Sequence, residues 1–402
     1  MTGKRSAADE RLLDLYRCHA RACDPAEIAA ADLVRPLLIL DCRALLNVRA
    51  NTIKGKGIED TRAYTNCTVE YADIGNIHVM RESLAQLAEL AAPSVGHDDA
   101  HDDARGDPSW HRRLSETGWL QHVSLVLEAA VGVAARLVSG VSVLVHCSDG
   151  WDRTAQVCAL AQLLLEPHYR TIEGFATLVE KDWCAFGHKF GERCGHGSEH
   201  KRDERSPIFV QWLDTVHQLV EQFPRAFEFD GRLLTFLADA MHSCLFGTFL
   251  ADCERERERE ARARERTESV WTYVFDRRAV FSASPPGSFV PDDEALWPVT
   301  AVKRLRLWEQ YYCRWDADFH PLAPPAVAST ALTGAAATAT SAGASAFEPD
   351  FGDSPKSLQR TSRDAASASS GDGPPDEHLD ESMMDAGMRV RSIRKSMDEV
   401  RI

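Results

Sequence analysis

The stretch VLVHCSDGWDRTAQVCAL, residues 143 to 160, decides how this chain is read. An apolar, β-branched run ends at His146, and a polar loop then passes through Cys147, Ser148, Asp149, Gly150, Trp151 and Asp152 to Arg153. Helical spacing of Val157, Leu160, Ala161 and Leu164 starts near Thr154 and is stopped by Pro167. A tight loop feeding a helix N-terminus turns several backbone N–H groups inward, which makes a nest for a phosphate, and Gly150 relaxes the backbone there. Arg153 adds a charge-assisted fork to two phosphate oxygens, where a lysine would offer only a point charge. The same positive field lowers the pKa of Cys147, so that its thiolate can attack phosphorus in line and form a phosphocysteine that water later hydrolyses. Thr154 can donate a hydrogen bond to the departing sulfur. The two aspartates fit a proton donor, because a phosphate dianion raises the pKa of a neighbouring carboxyl group, which then protonates the leaving alcohol oxygen and afterwards activates water. Asp152, next to the arginine, is assigned that work, with Asp149 as the alternative. A bare Cys-x5-Arg fits a buried structural cysteine beside a surface arginine equally well; the order strand, Gly-containing loop, helix is what favours the cradle.

Outward from this loop, LLILDC (37 to 42) and VSVLVHC (141 to 147) read as buried strands. Helical patterns cover residues 77 to 91, 119 to 138, 206 to 223 and 233 to 250. Strands mixed with long apolar-faced helices predict one α/β domain, a central sheet flanked by helices with a helix-rich second half, over residues 1–315. Residues 316–402 turn to Ala, Ser, Thr, Gly and Pro and are expected to be a mostly disordered tail, its last residues able to form a short amphipathic helix on a partner. GHDDAHDDARGDPS (96 to 109) reads as a solvated insertion rather than a metal loop, and the alternating charges of residues 254 to 266 as an exposed helix or linker.

The formal charge of −15 over 402 residues argues against a protein that wraps nucleic acid, so any anionic partner must meet a local basic patch. No apolar run is read as approaching the roughly 20 residues needed to cross a bilayer, and the start lacks a secretory apolar block. A cytosolic or peripherally attached protein is expected. Eleven cysteines without a repeating spacing fit free thiols in a reducing compartment. The spacing of Cys184, His188, Cys194, His196 and His200 follows no common zinc finger, so no metal or other cofactor is expected.

At HCSDGWDRTAQ the sequence resembles the myotubularin family of phosphoinositide 3-phosphatases, and the likeness continues in LLILDCRALLNVRAN, NIHVMRESL, YRTIEGFATLVEKDW, FGHKF, RSPIFVQWLD, QFPRAFEF, SCLFGTFL and LWPVTAVKRLRLWEQYYCRW. That covers nearly everything up to Trp315. The resemblance implies a fold like that of the protein-tyrosine and dual-specificity phosphatases. It also implies metal-free hydrolysis of the D3 phosphate of phosphatidylinositol 3-phosphate and phosphatidylinositol 3,5-bisphosphate, with Cys147, Asp152 and Arg153 as catalytic residues. Asn51, Asn76 and Ile77 match headgroup contacts, alongside Ser148, Asp149, Gly150 and Trp151 of the loop, and Lys189 and Arg193 match positions that read a D5 phosphate. The family often carries arginine where Lys189 stands, which trades a fork for a point charge. Read from the residues alone, Asn51 shapes a turn, Asn76 caps a helix, and Lys189 with Arg193 is solvated surface. His188 belongs to the family's FGH element and is expected to orient a loop or pack beneath the site.

The family's PH-GRAM lipid-binding domain and the opening of its phosphatase domain are not among these residues, so an N-terminally truncated phosphatase domain is expected. Peripheral association with endosomal membranes and homo- or hetero-oligomers with other myotubularins are further expectations from the resemblance. Two other readings stand beside it: an inactive interaction subunit, and a protein-tyrosine phosphatase using the same loop.

Overall fold

The computed structural model describes residues 6–19, 36–44, 66–92, 108–197, 202–285 and 288–315, together with Val48, Ile58, Glu59, Thr61, Arg62 and Tyr64. The tail, most of the 96 to 109 stretch, Asn51 and His200 lie outside these residues. Three parallel strands, β1 (Leu37–Arg43), β2 (Cys67–Ile74) and β3 (Ser142–His146), form one sheet in the order β2-β1-β3. Around it run α1 (Ala7–His19), α2 (Ile77–Ala91), α3 (Pro108–Glu116), α4 (Trp119–Val138) and α5 (Arg153–Leu165). Beyond β3 the described residues hold no further strand; α6 (Ile172–Val179), α7 (Ile208–Gln222), α8 (Gly231–Ser243) and α9 (Val270–Asp276) continue the chain. This is a mixed α/β fold with a small sheet and a helix-rich second half.

The central strand β1 is buried along its whole length, as LLILDC predicts, and its two charged members satisfy each other: the Arg43 guanidinium donates to both Asp41 oxygens at 2.6–3.0 Å. The strand missed by sequence reading is β2, CTVEYADI, whose acids and partly exposed residues hide it. Its edge position explains that pattern, since an edge strand keeps one flank wet. All three strands are parallel, so their C-terminal ends share one edge, where Asp41 is level with His146 and Arg43 with Ile74. Ligands of open parallel sheets bind beyond that edge.

Helix α4 corrects the membrane expectation: by length and composition Trp119–Val138 is apolar enough to span a bilayer. Here Trp119, Val123, Val126, Leu127, Ala130 and Ala134 are buried against α5, α7 and the sheet, which makes it the core helix of the domain. Full burial of each large apolar side chain contributes about 1.5–3 kcal/mol, which is why a helix this apolar is stable inside a protein core. The helix expected over 233 to 250 stops at Ser243, because Cys244 takes a left-handed conformation at φ +56°, and a 3-10 turn at Gly247–Phe249 follows. At Gly247 a Cβ would lie 2.0 Å from the Thr267 hydroxyl, so only glycine lets the two segments approach. The charged run is also not simply a solvated face: Glu256–Glu260 is a π-turn, and Arg257 is buried with its Nε donating to the Leu250 carbonyl at 3.1 Å.

Candidate active site

Cys147 follows β3 directly and is 9% exposed. The loop curls beneath it so that the Gly150 N–H donates to the sulfur at 3.3 Å, with Gly150 at φ +97°, a conformation costly for any side chain. Burial opposes ionisation of this thiol. The Thr154 hydroxyl, the Arg153 guanidinium and the amides of Gly150 and Asp149 outweigh it and hold the pKa below the ordinary thiol range. The Thr154 oxygen is buried and makes no hydrogen bond of standard geometry among the described residues, so its effect on the sulfur is a favourable dipole rather than a well-aligned bond.

Arg153 opens α5 and is buried, with Nη1 donating to the Ile74 carbonyl at 3.2 Å and Nη2 to the Ser148 hydroxyl at 3.2 Å. The first bond ties the end of β2 to the loop; the second holds the fork along the loop's inner wall. Asp152 takes the N-cap position of α5 without capping it. Its carboxylate turns instead to Arg193, with Nη2 at 2.9 Å from Oδ2 and Nε at 3.2 Å from Oδ1, and to His188, with Nδ1 at 3.3 Å from Oδ1. Burial pushes the Asp152 pKa up, but His188 and Arg193 carry it down to about 2. The resting site therefore holds Asp152 as a carboxylate, and a proton-donor role has to begin with binding that loosens this clamp.

His188 reaches the loop because the helix of α6 widens into a π-turn at Glu180–Ala185 and the chain reverses through Gly187 at φ +78°. Its Nδ1 donates to the Trp151 carbonyl at 2.7 Å, which fits the expected loop-orienting role.

A family model described as the myotubularin-like phosphatase domain matches residues 1–258. The chain belongs to this family. Myotubularin of Rattus norvegicus is 44% identical over 316 residues, 78% of this chain and 48% of that protein. Myotubularin of Xenopus tropicalis is 42% identical over 318 residues, 79% of this chain and 49% of that protein. The phosphatidylinositol-3,5-bisphosphate 3-phosphatase MTMR2 of Bos taurus is 42% identical over 327 residues, 81% of this chain and 47% of that protein. The chain thus spans about half the length of the curated relatives it matches.

Within this myotubularin-like site, the remaining residues are unevenly placed. Asn76 sits two residues beyond Ile74, and its carboxamide oxygen accepts from the N–H groups of His78 and Val79 at 3.0 and 3.1 Å, capping α2. Only its amide nitrogen is left to meet a ring hydroxyl. The Ile77 carbonyl accepts from Ser206 Oγ at 2.8 Å while the side chain packs on the core. Lys189 Nζ lies 4.6 Å over the Trp151 ring and 3.0 Å from Glu192, so it is partly neutralised at the loop's rim. Arg193 is buried and shared between Asp152 and Glu204, whose carbonyl and carboxylate lie at 2.9 and 3.3 Å. Ser148, Asp149 and Gly150 face solvent at the mouth.

The sulfur and imidazole groups weighed for zinc turn to separate partners: Cys184 to the Thr248 carbonyl, His196 to the Met241 carbonyl and His188 to Trp151. Sequence reading missed another group, Asp41, Glu59 and His146, whose donor atoms lie within 4.8 Å of one another. Arg43 already occupies both Asp41 oxygens and His146 faces Glu59, so this is a charge network rather than an open ligand set.

Proposed function

We propose that this chain is a phosphoinositide 3-phosphatase that removes the D3 phosphate of phosphatidylinositol 3-phosphate and phosphatidylinositol 3,5-bisphosphate. The observation that carries the reading is the buried Cys147 sulfur, held below the ordinary thiol pKa with the Gly150 amide 3.3 Å away and the Arg153 fork beside it. The Cys147 thiolate attacks phosphorus, the bond from phosphorus to the inositol O3 breaks, and that oxygen takes a proton from Asp152. Water then attacks the phosphocysteine, giving its proton to the Asp152 carboxylate, and the thiolate leaves into the same amides. The arriving phosphate dianion supplies what the resting state lacks, since it raises the Asp152 pKa and competes for Arg193. Asp149, at the mouth, is the alternative donor.

A sheet like that of the protein-tyrosine and dual-specificity phosphatases belongs to the same reading, supported by the loop between the end of a parallel strand and the start of a helix. So does a phosphatase domain running to Trp315, since Leu296, Leu305 and Trp308 are buried in one core with the loop. A lipid substrate brings the site to a membrane surface; endosomal location and assembly with other myotubularins rest on the resemblance. The test is phosphate release from a short-chain phosphatidylinositol 3-phosphate by the wild type and by Cys147→Ser. Release by the wild type alone is expected. Equal rates in both would remove the phosphocysteine, silence in both would leave the interaction-subunit reading, and faster turnover of a phosphotyrosine peptide would favour a protein substrate.

A further inference from the structure

His146 stands between two oxygen acceptors at the end of β3. Its Nε2 lies 3.1 Å from Glu59 Oε1 and its Nδ1 3.1 Å from the Cys147 carbonyl oxygen. Nδ1 is hydrogen-bonded to an oxygen that only accepts, so it carries hydrogen; Nε2 and the Glu59 carboxylate face each other at ion-pair distance without hydrogen-bond alignment, and a second hydrogen on the ring turns that contact from repulsive to attractive. The Glu59 side chain is only 5% exposed and His146 15%, so the pair is largely shielded from solvent. The other ionisable groups facing the pair are Asp41 and Arg43 on β1 and Tyr71 on β2; Asp41 is itself paired with the Arg43 fork, which weakens its pull on the ring. The C=O and N–H of a trans peptide point in opposite directions, so whatever fixes the Cys147 carbonyl also fixes the Ser148 N–H.

We propose that Glu59 is a positioning residue of the cysteine loop: it holds His146 as an imidazolium whose Nδ1–H fixes the direction of the Cys147–Ser148 peptide at the root of the phosphate cradle. The inference deepens the proposed phosphatase reading and rests on it for its consequence in turnover. Among the described residues the side-chain partner of Glu59 is His146, and it acts on the loop through that ring. The electrostatics agree in direction, since burial alone would lower the His146 pKa but Glu59, Asp41 and the Cys147 carbonyl raise it.

The experiment is a pH titration of the full chain carrying isotope-labelled histidine, followed by NMR, with His146 assigned by its loss in His146→Gln. In the wild type, His146 is expected to remain doubly protonated at pH 7 and to titrate above its ordinary value of about 6.5. Glu59→Gln is expected to lower that midpoint by about one unit, and Glu59→Asp to restore part of it. The basic limb of kcat/KM for a soluble 3-phosphoinositide should move down with it, so that the variant loses about ten-fold more at pH 8 than at pH 6. A wild-type His146 that is neutral at pH 7 overturns the proposal even if the variants fail to fold. So does a uniform loss of activity in Glu59→Gln with an unmoved pH profile, which is what a merely structural role would give. If no lipid is turned over, the phosphatase reading fails while the titration still decides this one.

Discussion

Two buried carboxylates take opposite ionisation behaviour in this molecule. Asp152, in the cysteine loop, is held down to about 2, whereas Asp214, on α7 in the helical core, is pushed up to about 6. Both suffer burial and both are hydrogen-bonded. The difference lies in the partners: Asp152 meets the Arg193 guanidinium and His188, while Asp214 accepts from the Trp119 indole at 2.7 Å, Gln218 at 2.8 Å and the Tyr312 hydroxyl at 3.0 Å, all neutral donors. Two thiols repeat the contrast. Cys147 is lowered by amides, Thr154 and Arg153, but burial and the nearby Asp182 carry Cys158, on α5, to about 12. Burial is common to both regions; what distinguishes the loop is positive charge and inward amides, which stabilise anions.

The strongest way to break this contrast is to remove the charge at Asp152. Asp152→Asn is expected to lower kcat by about 10²–10⁴-fold, the usual contribution of a positioned acid and base, while Asp149→Asn stays within a few-fold of the wild type. Near-normal turnover in Asp152→Asn with failure of Asp149→Asn would transfer the acid to Asp149. Next in size, iodoacetamide at pH 7.5 should alkylate Cys147 at least about 100-fold faster than Cys158, read by peptide mass spectrometry. Equal labelling would erase the contrast between the two thiols.

The smallest effect concerns stability. Because the folded-state pKa of Asp214 is raised, the folded protein binds the proton more tightly than the unfolded chain, and this group costs stability as pH rises through about 6. Asp152 has the opposite sign: its contribution is present above the ordinary carboxylate range and is lost only as pH falls through about 2. Between pH 5 and pH 7.5, Asp214→Asn should therefore show a smaller fall in Tm than the wild type, by about 2 °C. A steeper fall in the variant would show that Asp214 is stabilised as an anion after all.

Much of this site is legible in the chain because its parts are consecutive: strand, cysteine, glycine and arginine lie within residues 142–153, and local backbone geometry converts that order into a cradle. The long helices are legible for a similar reason, since periodic apolar residues report one buried face. Strand β2 is not, because its stability comes from pairing with β1 rather than from its own apolar content. Nor is the stop at Cys244, where packing overrides a continuous helical pattern.

The sequence by itself determined the chemistry on offer: a thiol and a guanidinium at fixed spacing, amides that turn inward, and apolar faces that must be buried. Tertiary structure decided which charges those groups carry. Ile74 meets Arg153, Arg193 meets Asp152 and Glu59 meets His146 only when segments remote in the chain are brought to one sheet edge. Ionisation follows from that assembly because desolvation and Coulomb attraction depend on distance in space, not along the backbone.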